Sequence, residues 1–400
     1  MTQFPALEPL ERPCPNCGSA ALRVFYSQQG IPVNSCILMQ SEAEARGYPR
    51  GDLRLAWCEA CGFLTNAAFD PGKAEYSERY EETQAFSGTF NAFARSLAQR
   101  LVDRYDLRRK TVLEIGCGKG EFLVLLCELG ENTGTGIDPG YHPERTDSLA
   151  AERLTFIRDF YDERYHHLTA DFVCCRHTLE HIPDTQRFLQ QLRQNLGDRE
   201  ETLVFFEVPD VLRVLEEGAF WDIYYEHCTY FTPGSLARLF RQTGFELLEL
   251  ELDYDDQYIL IVAKPAPGPT QPSLPLEDDL ARIRRGVESF QRTCSEGIAR
   301  WQGVFDELGT QGEEAVIWGA GSKGVSFLTT LQSPAAVRRA VDINPFKHDK
   351  FMPHTAHPVI APERLSAAPP HTVVVMNPIY EREIGAQLQG LGLSPRLLCV

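Results

Sequence analysis

The chain has 400 residues, 43% of them hydrophobic, enough for two or three domains each with its own core. Its 56 acidic and 39 basic residues leave a formal charge of −17, which argues against a surface built to neutralise nucleic acid or anionic lipid. No apolar run approaches the roughly 18 residues that span a bilayer, and the opening Met1 to Pro13 lacks a signal-like apolar region, so a soluble, cytoplasmic protein with reduced thiols is expected.

The first predicted unit, residues 1–70, holds two matching pairs, Cys14-Pro-Asn-Cys17-Gly and Cys58-Glu-Ala-Cys61-Gly. Each presents two thiolates from a tight turn that glycine completes. Four soft sulfur ligands favour tetrahedral zinc in a closed site with no position for water or substrate. A structural zinc at Cys14, Cys17, Cys58 and Cys61 is therefore expected, with a loop of about 40 residues leaving and returning between the pairs. Two unrelated thiol turns are the plainer alternative.

Residues 71–264 are the second predicted unit. From Lys110 strand-like and helix-like runs alternate: Thr111 to Ile115, Glu121 to Leu129, Gly134 to Ile137, Ala170 to Cys175, Gln186 to Asn195 and Thr202 to Glu207. That alternation predicts an α/β fold with a doubly wound, mostly parallel sheet. Glu114-Ile-Gly116-Cys-Gly118-Lys-Gly120 is a strand end, a glycine turn and a helix start, where backbone can lie against a ligand and a helix N-terminus favours a carboxylate. Eighteen residues past Gly120, Asp138 ends the next strand, placed to accept hydrogen bonds from ribose hydroxyls.

This pattern resembles the class I S-adenosylmethionine-dependent methyltransferases. The resemblance implies a Rossmann-like core with cofactor contacts from Glu114, Gly116, Gly118 and Gly120, ribose contacts from Asp138, and an adenine-edge contact from Asp159. It also implies that His177, in Arg176-His177-Thr-Leu-Glu180-His181-Ile-Pro183, lies beside the cofactor, with Glu180 and His181 structural or supporting.

Ligands of open α/β sheets sit outside the carboxyl ends of the strands, which directs attention to the segment after Glu207. It contains Tyr224-Tyr225-Glu226-His227-Cys-Thr-Tyr230. Methylation of a carbon beside a ketone needs a base for the α-proton. A histidine has a suitable pKa, so His227 is the expected base and Glu226 is suited to orient or polarise it.

Residues 265–276 carry five prolines and predict a stiff linker. The third predicted unit, residues 277–400, opens with a long amphipathic helix, Glu277 to Leu308, and a second strand and turn, Ala315-Val-Ile-Trp-Gly319-Ala-Gly321-Ser-Lys323-Gly324. Asp342 follows eighteen residues past Gly324. Alone, this turn suggests a nicotinamide or flavin site. Its amides, with Lys323 and Lys347, could hold a diphosphate, and a purely architectural turn is the plainer alternative.

Zinc knuckles, this core and a second Rossmann-like unit together resemble the zinc-containing C-methyltransferases of deoxysugar biosynthesis, over nearly the whole chain. The resemblance implies a small-molecule acceptor, a nucleotide-linked keto-deoxysugar, and a third unit without a redox task. In that family the loop is typically Tyr-His-Glu-His, so His227 is implied as the base with Glu226 and Tyr224 assisting, and Tyr76 lines the site. Three departures fall where the acceptor is expected: Tyr225 for the usual first histidine, Asp255-Asp256-Gln257 for a common Gly-Gly-Ser turn, and the acidic Glu81-Glu82-Thr83-Gln84. Methyl transfer to another natural-product or cell-surface glycan intermediate, on carbon, oxygen or nitrogen, stays open. So do a zinc-bearing scaffold with a vestigial cofactor site and a nicotinamide oxidoreductase. The oligomeric state is not legible in the sequence.

Overall fold

The computed structural model describes residues 2–400 apart from Glu75, Glu78, Asp147, Pro267 and residues 269–271, so part of the proline-rich segment 265–276 lies outside the described residues. Among the described residues, three sheets organise the chain.

The amino-terminal sheet is antiparallel and built on the paired strands Leu22–Pro32 and Arg50–Cys58, with Leu64–Asn66 beside the second. Its outer strand comes from far along the chain: Thr229–Tyr230 pairs with Leu64–Asn66 through Thr229↔Thr65 and Tyr230↔Leu64. The segment containing His227 is thereby tied to the amino-terminal unit.

The central sheet runs Leu154–Ile157, Thr133–Ile137, Thr111–Ile115, Phe172–Arg176, Leu203–Pro209, Tyr258–Pro265 and Phe245–Asp253. The first five strands are parallel and the last two antiparallel to their neighbours. Alternate residues explain why these runs are apolar throughout. Val112, Phe172 and Cys174 pack with helices Gly88–Arg104 and Glu121–Gly130, while Leu113, Val173 and Cys175 pack with Thr185–Leu196 and Pro233–Gln242. Both faces are covered, and the parallel strands deliver their carboxyl ends to one edge. This is the strand order and doubly wound layering of the class I methyltransferase fold.

The third sheet is wholly parallel, in the order Val359–Ile360, Val337–Val341, Ala315–Trp318, Thr372–Val375 and Arg396–Cys399. Between it and the rest lies the 32-residue helix Leu280–Gln311. Its buried side chains include Ile283, Val287, Phe290, Cys294, Trp301 and Phe305, an apolar stripe at helical spacing. Phe290 meets Tyr26 edge-on at 5.5 Å and Trp301 meets Phe327 at 5.2 Å, so one helix joins the first and third units. Each such ring stabilises the join by about 1.5–3 kcal/mol. At Gly218, φ +66°, the chain passes so close that a Cβ would lie 2.4 Å from the Thr293 carbonyl carbon. Among the described residues no helix is long and apolar enough to cross a membrane.

Candidate active site

At the carboxyl edge of the central sheet lies a cleft of about 840 Å³, bordered also by Tyr76, Ser77, Tyr80 and residues 82–87 and by the second glycine turn. Its floor is the first glycine turn. Gly116 and Gly118 have φ of +69° and +54°, and a Cβ on Gly116 would stand 2.0 Å from Thr178 Oγ1. Asp138 accepts from the Gly118 N–H at 2.9 Å and the Gly140 N–H at 2.6 Å, drawing two turns together at the rim. Glu114 lines the cleft, and burial pushes its carboxyl up to about 8. Gly120, φ +86°, does not line it. There the glycine starts helix Glu121–Gly130, and a Cβ would lie 2.6 Å from the Phe156 ring. Asp159 sits on the cleft wall, accepting from Tyr165 Oη at 2.7 Å and pairing with Arg164 at 2.8 Å. These partners, Tyr165 first and then Arg164, hold its carboxyl below the usual range.

Tyr80 and residues 82–87 border this floor. Lys119, buried, donates to the Tyr80 and Gly140 carbonyls at 2.9 Å each. Glu81 accepts from both Arg145 guanidinium nitrogens and from Asn344 Nδ2, and Arg145 lies 3.8 Å over the Phe346 ring.

His227 faces the same cleft. Its ring stands nearly perpendicular to that of His181 at 4.8 Å and is tilted against Tyr224 at 4.3 Å. The Tyr230 hydroxyl donates to the Tyr224 carbonyl at 3.0 Å, fixing that aromatic wall. Tyr76 Oη lies 2.9 Å from His181 Nδ1, which is also 3.0 Å from the Glu226 carbonyl oxygen. The carbonyl only accepts, so His181 Nδ1 carries a proton. Burial, then the nearby His181, His177 and Lys323, depress protonation of His227 well below the ordinary histidine range. It is thus a neutral imidazole at pH 7, able to accept a proton.

Beside it lies a buried charge cluster. Arg176 grips Glu207 with two contacts of 2.7 and 3.0 Å, and His177 Nε2 stands 2.7 Å from Glu207 Oε1, the oxygen that one Arg176 nitrogen also meets. Burial opposes a charged His177 ring, but Glu207 and Glu180 outweigh it and raise the pKa to about 9. His177 takes φ +48° and packs edge-on against Tyr258 at 4.6 Å.

The structure brings Tyr76, Glu114, Gly116, Gly118, Asp138 and His177 to the cleft, with Asp159, Tyr224 and His227. It does not bring the Glu226 carboxylate there. That group turns back into the protein, accepting from Asn34 Nδ2 at 3.1 Å, from the Ser35 N–H at 3.1 Å and from the hydroxyls of Ser35 and Ser322. Tyr225 corrects another expectation. Its ring lies against Phe69 and Gly51 and its hydroxyl takes the Asp70 N–H at 2.8 Å, so this departure faces the interior and not the acceptor. Gln257 does line the cleft and exchanges paired amide hydrogen bonds of 3.1 and 2.9 Å with Asn377 of the third unit. The lysines suited to a diphosphate already have carboxylate partners, Lys323 with Asp222 at 2.6 Å and Lys347 with Asp342 at 3.1 Å. Asp342 also accepts from the Ala320 N–H at 2.9 Å. Lys119 and the partners of Glu226 were not among the sequence-predicted site residues, and His181 was expected only as structural or supporting. The Glu-His pair at 180–181, close after a parallel strand, was the available signal for His181.

Away from the cleft, the four cysteine sulfurs lie within 4.8 Å of one another, with Cys14–Cys61 at 3.8 Å and Cys17–Cys58 at 3.7 Å. A tetrahedron with metal–sulfur bonds of about 2.3 Å has an edge of about 3.8 Å, so donor set and spacing both fit zinc. Gly18 and Gly62, φ +74° and +79°, return each knuckle. Asn16 Nδ2 donates to the Ser235 carbonyl and Thr185 Oγ1 to Asn16 Oδ1, fixing the knuckles to the core.

Residues 86–250 match the family described as a methyltransferase domain, and residues 280–393 the family described as a C-methyltransferase C-terminal domain. The C-methyltransferase NovU of Streptomyces niveus is 25% identical over 364 residues, covering 87% of this chain and 85% of that protein. A ubiquinone biosynthesis O-methyltransferase of Hydrogenovibrio crunogenus is 26% identical over 167 residues, 36% of this chain and 65% of that one. Among solved structures, the magnesium protoporphyrin IX methyltransferase of Synechocystis with bound S-adenosylhomocysteine aligns over 44% of this chain and 84% of its own, with 18% identity and a TM-score of 0.35. The two domain matches and the relative spanning most of the chain establish its resemblance to S-adenosylmethionine-dependent C-methyltransferases.

Proposed function

We propose that this chain, an S-adenosylmethionine-dependent methyltransferase, moves the methyl group to a carbon beside the ketone of a nucleotide-linked keto-deoxysugar. The observation carrying the reading is that His227, neutral and without a hydrogen-bond partner among the described residues, opens into the same cleft as the glycine turn. At about 840 Å³ the cleft lies toward the upper end of the about 300–1,000 Å³ that ligand pockets span, leaving room for cofactor and acceptor together.

In this reading Gly116 and Gly118 cradle the cofactor's amino-acid portion and Asp138 meets its ribose, with Glu114 and His177 alongside, Gly120 supporting the turn and Asp159 at the adenine edge. The cofactor supplies the electrophilic methyl. His227 removes the α-proton, the C–H electron pair passes into an enolate, and the enolate carbon takes the methyl. Tyr76, through His181, and Tyr224 position the ketone and the base. Glu226 holds the loop. Cys14, Cys17, Cys58 and Cys61 bind a structural zinc. In the same reading the chain divides into units 1–70 and 71–264, a linker at 265–276, and 277–400.

The test is to incubate zinc-replete protein with S-adenosylmethionine carrying a ¹³C methyl group and thymidine diphosphate 4-keto-6-deoxyglucose. A product with the labelled methyl bonded to a carbon next to the ketone is expected. One specific observation favours a second reading, an acceptor without a diphosphate: Lys323 and Lys347 are already paired with Asp222 and Asp342. Transfer only to an acceptor lacking the nucleotide would establish that alternative.

A further inference from the structure

Glu180 is a glutamate with 2% of its surface exposed, and neither carboxylate oxygen has a hydrogen-bond partner among the described residues. Buried carboxylates are ordinarily satisfied, so an orphan at a cleft wall marks a group held ready for a charge that forms there. One of its oxygens and one ring nitrogen each of His181 and His227 lie within 4.8 Å of one another, and Glu180 Oε1 stands 3.7 Å from His177 Nδ1. Two further bonds fix the separation. Thr229 Oγ1 donates to the Leu179 carbonyl at 3.1 Å, and Cys228 Sγ to the Glu180 carbonyl at 3.6 Å.

We propose that Glu180, and not the adjacent Glu226, is the anionic positioning residue for His227. This rests on the His227 reading above. When the C–H bond beside the ketone breaks, its electron pair enters the enolate and its proton arrives on a ring nitrogen of His227. The enolate then takes the methyl, and the C–S pair stays on sulfur. Glu180 opposes the new imidazolium charge. That charge needs an opponent. The groups facing His227 are the rings of His181, His177, Tyr224 and Tyr230, the Lys323 ammonium and Glu180, and the cationic ones all work against protonation. Glu226 is committed elsewhere, to Asn34, Ser35 and Ser322.

The experiment follows solvent deuterium entering thymidine diphosphate 4-keto-6-deoxyglucose, with S-adenosylhomocysteine filling the cofactor site, as a function of pH. Glu180→Gln is expected to slow exchange about tenfold or more and to move the acid limb of the rate profile to lower pH, because a weaker base loses its proton earlier. Glu180→Asp, which keeps the charge, restores part of the rate and the position of the limb. Glu226→Gln leaves the limb where it was, whatever it does to the rate. Calorimetric binding of S-adenosylmethionine checks that each variant is folded. If Glu180→Gln fails to bind, Glu180→Asp decides: a limb displaced from that of the parent overturns the assignment. Parent-like exchange and an unmoved limb in Glu180→Gln, with His227→Ala inactive, overturn the Glu180 proposal alone. Absence of exchange in the parent protein overturns the reading beneath it.

Discussion

Ser35 and Ser322 stand 287 positions apart and share a hydrogen bond of 2.7 Å, and both hydroxyls also meet the Glu226 carboxylate. One residue belongs to the amino-terminal unit and the other opens helix Ser322–Thr330 of the third. The segment that carries His227 is therefore clamped by both flanking units. Ser322→Ala is expected to cost about 0.5–1.5 kcal/mol, and Glu226→Ala, which strands several buried donors, about 1–3 kcal/mol or more. Urea denaturation of each variant measures this. Equal stability of Glu226→Ala and parent would contradict the clamp.

Gly116→Ala places a side chain where φ is +69° and where Thr178 Oγ1 stands 2.0 Å away. A loss of about 1–2 kcal/mol in stability is expected from the left-handed backbone alone. Binding of S-adenosylmethionine, read by calorimetry, should weaken at least about tenfold, because the displaced Thr178 borders the cofactor floor.

The buried pair His177 and Glu207 gives the stability a definite pH dependence. His177 is raised from 6.5 to about 9, so its contribution is complete below pH 6.5 and is lost as pH rises to 9. Glu207 is lowered from 4.5 to about 2, with Arg176 and His177 outweighing burial, so its contribution holds above pH 4.5 and is lost as pH falls to 2. Thermal melting between pH 6.5 and 9 should show a declining Tm in the parent and a flatter curve in His177→Gln. Parallel curves would contradict the ion pair.

Metal removal should act at a distance from the cleft. The knuckles hold the base of the sheet that also includes Thr229–Tyr230, so stripping zinc should loosen the His227 segment as well as the amino-terminal unit. Cys58→Ser is expected to release about one zinc per chain, by atomic absorption, and to lower the melting temperature.

The local signals were legible in the sequence. The Thr111–Ile115 strand, the turn of Gly116, Gly118 and Gly120, Asp138 and the paired cysteines each announce themselves within a few residues, because one backbone geometry or one ligand set demands them. The long helix was expected at Glu277 to Leu308 and runs Leu280–Gln311. What the sequence hides is pairing across distance. The partners of Glu226 lie 191 and 96 positions away, Lys323 meets Asp222 across 101, and Gln257 meets Asn377 across 120. Glu226 and His227 are consecutive, yet one carboxylate serves the joint between units and one ring serves the cleft. Tyr225 was misplaced for the same reason, since only the approach of Gly51 and Phe69 shows which way it points.

The central claim is that His227 removes a proton from carbon. The most direct measurement compares parent and His227→Ala for uptake of solvent deuterium beside the ketone of thymidine diphosphate 4-keto-6-deoxyglucose, with S-adenosylhomocysteine bound so that methylation cannot mask the step. The account predicts deuterium at the carbon next to the ketone in the parent and a loss of at least about a hundredfold in the variant. Exchange at the parent rate in His227→Ala, with cofactor binding intact, would contradict it.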